Sequence, residues 1–492
     1  MQLTTLIQAL PNVRLRGRAE GVGITGIAFD SRRVQPGYLF VAVRGTQTDG
    51  HQYIHQGAAA GAKAVVVEEG LAPTDLTDLE LPILTVPNSA EALGLLADVW
   101  YDSPSRSLTL VGVTGTNGKT TVTTLLYELF TSLGYRAGLL STVELRLGAE
   151  RRPATHTTPD ALSIHATLAE MRDARIDYVF MEVSSHAVDQ RRTYGLHFAG
   201  GVFTNLTHDH LDYHGTFQAY LTAKKRFFDE LPGDAFALVN VDDKHGAVMV
   251  QNTAARVQRY SLRSMVDFHA RLVANTPQGL QLAFEGTEVF FKLLGRFNAY
   301  NLLAAYGTAR LLNQDAQEVL VALSALPGAE GRLEHVPDPS GRITALVDYA
   351  HTPDALENVL TTLRNLLPEG HRLSCVVGAG GDRDRSKRPE MARISARLAD
   401  QTILTSDNPR SESPEAILDE METGVPAELQ HKVLRITDRR QAIRTAVRLG
   451  HEVLLVAGKG HETYQEADGG VRTPFDDRQE LAYALNVTAR AH

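Results

Sequence analysis

The chain has 492 residues, 43% of them hydrophobic and 22% charged, with a net charge of −9. At roughly 150 residues per domain, that length predicts about three globular domains and excludes disordered and fibrous classes. The acidic balance argues against a duplex-wide grip on nucleic acid, although a local basic pocket could still hold a small anion.

The N-terminus lacks a basic start followed by a long apolar stretch, so no signal peptide is expected. No uncharged apolar run approaches the roughly 20 residues of a membrane span. The single cysteine, Cys375, excludes an internal disulfide and a cysteine-based metal site, and fits a reducing cytoplasm. Short strands are predicted at Tyr38–Val43 and Ala64–Val67, and the polar, proline-containing segment Tyr101–Ser107 reads as a linker. A buried strand follows at Leu108–Val113, then a helix over Thr120–Leu133. Further strands are expected at Tyr178–Val183, Gly201–Asn205 and Phe236–Val241, with helical stretches between them, among them Phe217–Leu231. A second boundary falls near Pro327–Gly331. The strand–helix pattern then restarts with Ile343–Val347, Leu373–Val377, Thr402–Leu404 and Val453–Val456. This alternation predicts an α/β protein of three domains, 1–107, 108–330 and 331–492, the second built on a parallel sheet.

The strongest local signal is Val113-Thr-Gly115-Thr116-Asn117-Gly118-Lys119-Thr120-Thr121, set between a strand and a helix. Backbone N–H groups and a helix N-terminus in that setting bind phosphate. Gly115 and Gly118 allow the tight turn, Lys119 would neutralise the terminal phosphates of a nucleoside triphosphate, and the Thr120 hydroxyl would ligate Mg²⁺. Val113 stands where the standard loop has its first glycine.

The variant Gly-Thr-Asn-Gly-Lys-Thr resembles the ATP loop of the Mur ligase family, which includes folylpolyglutamate synthetases. Other segments agree in order: Met181-Glu182-Val-Ser184-Ser-His186, Asn205-Leu-Thr-His-Asp209-His210-Leu-Asp212, Ala223-Lys224, Gly295-Arg-Phe-Asn298-Ala-Tyr-Asn301, Val347-Asp348-Tyr349-Ala-His351-Thr-Pro353 and Gly458-Lys-Gly-His-Glu462. Asp30-Ser31-Arg32 and Asp407-Asn408-Pro409-Arg410 are similar to the branch that adds 2,6-diaminopimelate in peptidoglycan precursor synthesis. The resemblance implies an N-terminal UDP-binding domain, a central ATPase domain and a C-terminal Rossmann-like domain. It also implies an ATP-dependent amide ligase that works through an acyl phosphate, with small-molecule substrates, no nucleic acid and no membrane insertion; a monomer is expected.

The resemblance assigns roles to residues as follows. Gly115, Thr116, Asn117, Gly118, Lys119, Thr120 and Thr121 would hold the ATP phosphates. Asn298 and Asn301, three apart on a helix face, would read adenine through one or both side chains. Arg332 would lie near phosphate, Asp348 at the ribose, and His351 near the same seam. Glu182, His210, Thr120 and Lys224, the last as a CO₂-carbamylated lysine, would hold Mg²⁺, with Asp209 orienting His210. Lys225 is the competing candidate for Lys224. Phe29, Ser31, Thr46, Gln47 and Thr48 would hold the uridine diphosphate, and His156, Thr157, Thr158, Ser184, Gln190 and Arg192 the muramoyl dipeptide; Arg191 is an alternative to Arg192.

Diaminopimelate carries one carboxylate more than lysine, and a selective site should meet it with a cation. Arg410 can do so with two parallel hydrogen bonds. Arg383, Asp407, Asn408, Pro409, Gly458 and Glu462 match the other contacts, Glu462 being suited to the distal ammonium. The alternatives are a lysine-adding ligase, a folylpolyglutamate synthetase-like ligase, and a nucleotide-binding regulator without turnover.

Overall fold

A computed structural model describes residues 1–490 except 47, 72–75, 155, 156, 208, 210 and 277. Gln47, His156 and His210 therefore lie outside the described residues, and so do the roles expected of them. The chain forms three α/β units in sequence. Among the described residues no helix is long and apolar enough to cross a membrane.

The first unit is a five-stranded sheet in the order Arg14–Arg16, Ile83–Val86, Ala64–Glu68, Tyr38–Val41, Gly26–Ala28, with only Arg14–Arg16 antiparallel. The expected linker is ordered by a turn at Pro104–Arg106. It is anchored by the buried Ser105, whose hydroxyl accepts the His197 N–H at 3.0 Å.

The central sheet has nine strands. Seven are parallel, running Phe268–His269, Arg256–Ser261, Phe236–Asn240, Gly200–Phe203, Thr109–Thr114, Tyr178–Glu182, Ala137–Leu140. The five from Phe236–Asn240 to Ala137–Leu140 are near-continuous apolar runs, buried because helices cover both faces. Helices Lys119–Ser132 and Arg296–Leu311 pack on one face, and Ala161–Asp173 and Phe217–Asp229 on the other. The expected parallel sheet is thus the core of the central unit, and two antiparallel additions border it. An antiparallel hairpin, Glu144–Leu147 and Glu150–Pro153, extends one edge. A separate antiparallel sheet, Arg271–Thr276, Gly279–Phe284 and Thr287–Phe291, closes the core beside helix Arg296–Leu311.

The third unit orders its strands Glu334–Val336, Thr344–Asp348, Val453–Ala457, Leu373–Val377, Gln401–Leu404, Val433–Arg435, all parallel but the first. In both larger sheets the strand order reverses beside the first parallel strand laid down. The crevice at the carboxyl ends there is where open α/β sheets bind ligands.

Candidate active site

Residues 115–118 leave the central sheet at that crevice, between Glu182 on one neighbouring strand and Asn205 beyond the other. Gly115 and Gly118 have φ of 153° and 88°. A Cβ on Gly115 would collide with the Thr204 hydroxyl, and one on Gly118 would lie 2.5 Å from Asn301 Oδ1. The backbone of Thr116 donates to Asn205 O (2.8 Å) and that of Asn117 to Asn205 Oδ1 (3.0 Å). Lys119 Nζ folds back onto the Gly115 and Thr116 carbonyls, 2.9 Å from each. Burial lowers its pKa, against the attraction of Glu182 and Asp209.

Lys224 is 1% exposed and donates to the same Gly115 carbonyl at 2.8 Å. Its ammonium lies 4.9 Å from the Tyr220 ring centroid. Burial pushes its pKa far down, and the Lys119 charge pushes the same way. Lys225 turns away and pairs with Asp229 one helical turn on, at 2.6 Å. The structure therefore brings Lys224, not Lys225, to the loop.

Glu182 is buried. Its carboxylate accepts from Thr142 N at 2.8 Å and Thr142 Oγ1 at 3.1 Å. Among the described residues no three His, Cys, Asp or Glu side chains converge as a metal cage. Thr120 and Glu182 are hard oxygen donors beside the loop. So sparse a set fits Mg²⁺, which takes one or two protein oxygens and fills the rest of its octahedron with phosphate oxygens and water.

Asn298 and Asn301 are both buried. Asn298 donates to Leu294 O (2.8 Å), just ahead of the helix, and accepts from Asn301 Nδ2 (2.9 Å), so both ends of its amide are engaged while Asn301 Oδ1 abuts Gly118. The third unit reaches the loop at two points. Arg332 Nη2 donates to Thr120 Oγ1 at 3.2 Å, and Asp354 Oδ2 accepts from Asn117 Nδ2 and Thr207 Oγ1, each at 2.9 Å. Asp348 accepts the N–H groups of Leu333 and Ala350; burial raises its pKa, opposed by Arg332. His351 receives no role; its Nδ1 lies 2.8 Å from its neighbour Tyr349 O. Lys387 spans the same seam to Asp209 at 3.0 Å.

Asp407 to Arg410 lie at the carboxyl end of the third sheet. Burial would raise the Asp407 pKa, but Lys459 and Arg439 outweigh it and hold the carboxyl below its ordinary value. Asn408 donates to Glu462 Oε2 (2.8 Å), and the buried Lys459 bonds both Asn408 Oδ1 (2.9 Å) and Glu462 Oε2 (3.0 Å). A Cβ on Gly458 would stand 2.7 Å from Asp407 Oδ2. Arg410 Nη1 donates to Gly381 O at 2.7 Å, and Arg383 is exposed on the loop beside it.

A cavity of about 910 Å³ opens between the first and central units, walled by Phe29, Ser31, Thr46 and Thr48 on one side and Gln190 and Arg192 on the other. Thr158 sits behind it. Its hydroxyl donates to Glu182 O (2.8 Å) and accepts from Ser184 N (3.2 Å), and Thr157 accepts from Thr142 Oγ1 (3.1 Å). Ser184 caps the short helix Ser185–Asp189. Arg191 is neutralised by Glu91 (2.5 Å) and Glu230. Arg192 donates instead to Thr158 O (2.7 Å) and Gln190 Oε1 (2.6 Å), with no carboxylate pair among the described residues.

Three family descriptions match this chain in order: "Mur ligase family, catalytic domain" over 23–101, "Mur ligase middle domain" over 113–309, and "Mur ligase, glutamate ligase domain" over 331–460. The chain belongs to the Mur ligase family. It is an ATP-dependent ligase of the acid–amino-acid class, as that family is. A Mur ligase of Cytophaga hutchinsonii, named UDP-N-acetylmuramoyl-L-alanyl-D-glutamate–2,6-diaminopimelate ligase, is 53% identical over the full length of both chains. A Bacillus velezensis protein of the same name is 40% identical over 99% of both. A solved structure titled with that name aligns at 31% identity and TM-score 0.69, covering 100% of this chain and 99% of the other. The MurF ligase of Thermotoga maritima in complex with ADP shares the fold at 18% identity and TM-score 0.58, over 95% of this chain and 99% of that one.

Within this Mur ligase, sequence reasoning passed over Thr142, Asp354, Arg388, Arg439 and Lys459. Lys459 alone carries a visible local signal, a lysine between Gly458 and Gly460. The others act through partners far away in sequence, which no local pattern announces.

Proposed function

We propose that this ligase joins meso-2,6-diaminopimelate to the γ-carboxylate of UDP-N-acetylmuramoyl-L-alanyl-D-glutamate, using ATP. The identity of 53% along the whole chain to a ligase of that name carries this reading. Residues 1–107 would hold the nucleotide sugar, 108–330 the ATP, and 331–492 the incoming amino acid. A monomer is the working expectation, and the use of ATP supports a cytoplasmic setting.

An amide does not form from a carboxylate and an amine in water without activation. Transfer of the γ-phosphoryl group to the acid makes an acyl phosphate, the amine attacks its carbonyl, and phosphate leaves. The first step forces two anions together and needs fixed positive charge that strengthens in the transition state. Lys119, from the loop itself, and Arg332, reaching it from the third unit, supply that charge. Thr120, Glu182 and the carbamate oxygens of Lys224 would hold Mg²⁺, which would supply further positive charge to the transferring phosphoryl group. Asn301 and Asp348 would position adenine and ribose, and Arg192 the muramoyl dipeptide. Arg410 would pair with the distal carboxylate of diaminopimelate, and Glu462 with its ammonium. Lysine offers that guanidinium no carboxylate beyond Glu466, whose Oε2 lies 3.7 Å from Arg410 Nε, and forfeits the two-bond pair, a penalty worth up to about 10⁴-fold.

The test is phosphate release and product formation with ATP, Mg²⁺, the UDP-dipeptide and one amino acid at a time. Turnover with meso-diaminopimelate is expected. Turnover with lysine alone overturns the specificity, and none with any acceptor points to a binding protein.

A further inference from the structure

Arg410 has φ of 52°, a left-handed conformation that crowds the Cβ of any residue but glycine. Such a backbone persists only where its surroundings over-determine it, and it gathers at functional sites. Here the surroundings are the strand Tyr464–Ala467, where Glu466 O accepts Arg410 N (3.1 Å) and Glu466 Oε2 lies 3.7 Å from Arg410 Nε, and the loop Gly380–Asp382. Gly381 N donates to Asn408 O (2.9 Å), Arg410 Nη1 to Gly381 O (2.7 Å), and Ser411 Oγ to Asp382 Oδ1 (2.6 Å). A Cβ on Gly381 would overlap the Pro409 carbonyl.

Behind both segments stands Arg388, 1% exposed. Its Nη2 donates to Gly380 O (3.2 Å) and Glu412 Oε1 (2.7 Å). Its Nη1 donates to Glu412 Oε2 (2.9 Å) and Glu420 Oε2 (2.8 Å). Glu412 Oε1 also accepts Asp382 N at 2.6 Å. One guanidinium and one carboxylate thus grip the loop on one side of Arg410 and the turn on the other.

We propose that Arg388 and Glu412 are positioning residues for amino-acid selection: their ion pair holds the strained turn so that Arg410 presents its guanidinium to the second carboxylate of a diamino diacid. The inference rests on the functional reading above. A planar guanidinium rewards a carboxylate only when both hydrogen bonds align, so a small tilt costs binding. A substrate without that carboxylate gains nothing from the alignment and loses nothing when the turn loosens.

The experiment uses the full chain with Arg388→Lys and, separately, Glu412→Gln, which keeps the shape and removes the charge. Folding is followed by circular dichroism. The expected result is a rise of about tenfold in KM for diaminopimelate, with KM for ATP and for the UDP-dipeptide within about twofold. The ratio of kcat/KM for diaminopimelate over lysine should fall by the same factor. General damage would raise all three KM values and leave that ratio alone, and that outcome overturns the proposal. An unchanged diaminopimelate KM in a folded Glu412→Gln overturns it too. A wild-type chain inactive with diaminopimelate overturns the functional reading, and this inference with it.

Discussion

The ammonium groups of Lys119 and Lys224 share one acceptor, the Gly115 carbonyl, at 2.9 and 2.8 Å. Two like charges on one oxygen disfavour each other, and the more deeply buried Lys224 is the one driven toward the neutral amine.

Carbamylation needs a neutral amine, so Lys224 is the lysine on which it should appear. Intact-protein mass in bicarbonate should rise by one CO₂ and revert on acidification, and Lys224→Met should show no gain. A wild-type mass indifferent to bicarbonate contradicts this. The pH dependence of stability has a definite sign. Folded Lys224 binds fewer protons than unfolded Lys224, so stability rises with pH from its depressed folded value toward the unfolded lysine value of about 10.4. Urea midpoints for Lys224→Met should climb less steeply across that window than those of the wild type.

Lys119→Ala removes the loop's own cation while leaving Lys224 on the Gly115 carbonyl. Turnover should fall at least about 10³-fold with circular dichroism unchanged. Near-normal phosphate release would remove Lys119 from the phosphoryl-transfer role.

Arg191 and Arg192 are adjacent and should behave oppositely. Arg192→Met takes from the cavity wall a cation with no carboxylate partner among the described residues, and KM for the UDP-dipeptide should rise about 10- to 100-fold. Arg191→Met breaks its pairs with Glu91 and Glu230 and should cost about 1 kcal/mol of stability with little change in KM. Denaturant titration beside steady-state kinetics separates the two.

Arg439 and Asp477 are both fully buried and joined by two bonds of 2.8 and 2.7 Å. Removing one partner strands the other charge. Asp477→Ala should therefore destabilise the protein by about 3–5 kcal/mol in urea unfolding, far more than loss of an exposed pair. The same guanidinium stands 4.0 Å from Asp407 Oδ2, so diaminopimelate KM should rise as well.

Most parallel strands were legible because burial on both faces demands continuous apolar runs; Leu373–Val377 matches its expected bounds, and Phe236–Asn240 ends one residue earlier than expected. The sheet over 271–291 was not, since its strands are partly exposed and broken by polar residues such as Asn275 and Gln281. The tight turn at Gly115 and Gly118 was readable from the two glycines and the strand and helix that flank them, because its constraint is local. The choices between Lys224 and Lys225, and between Arg191 and Arg192, were not. They depend on helix facing and on the partners Asp229, Glu91 and Glu230. Arg388 was invisible for the same reason, since its partners Glu412 and Glu420 lie 24 and 32 residues away.

The Arg332 contact to Thr120 spans 212 residues, and that of Asp354 to Asn117 spans 237. Translation therefore completes the phosphate loop long before it supplies either of these groups. A ribosome-bound chain that has just emerged past its second sheet carries the loop with its roof still missing, and gains coverage only once the third unit has brought Arg332 and Asp354 to it.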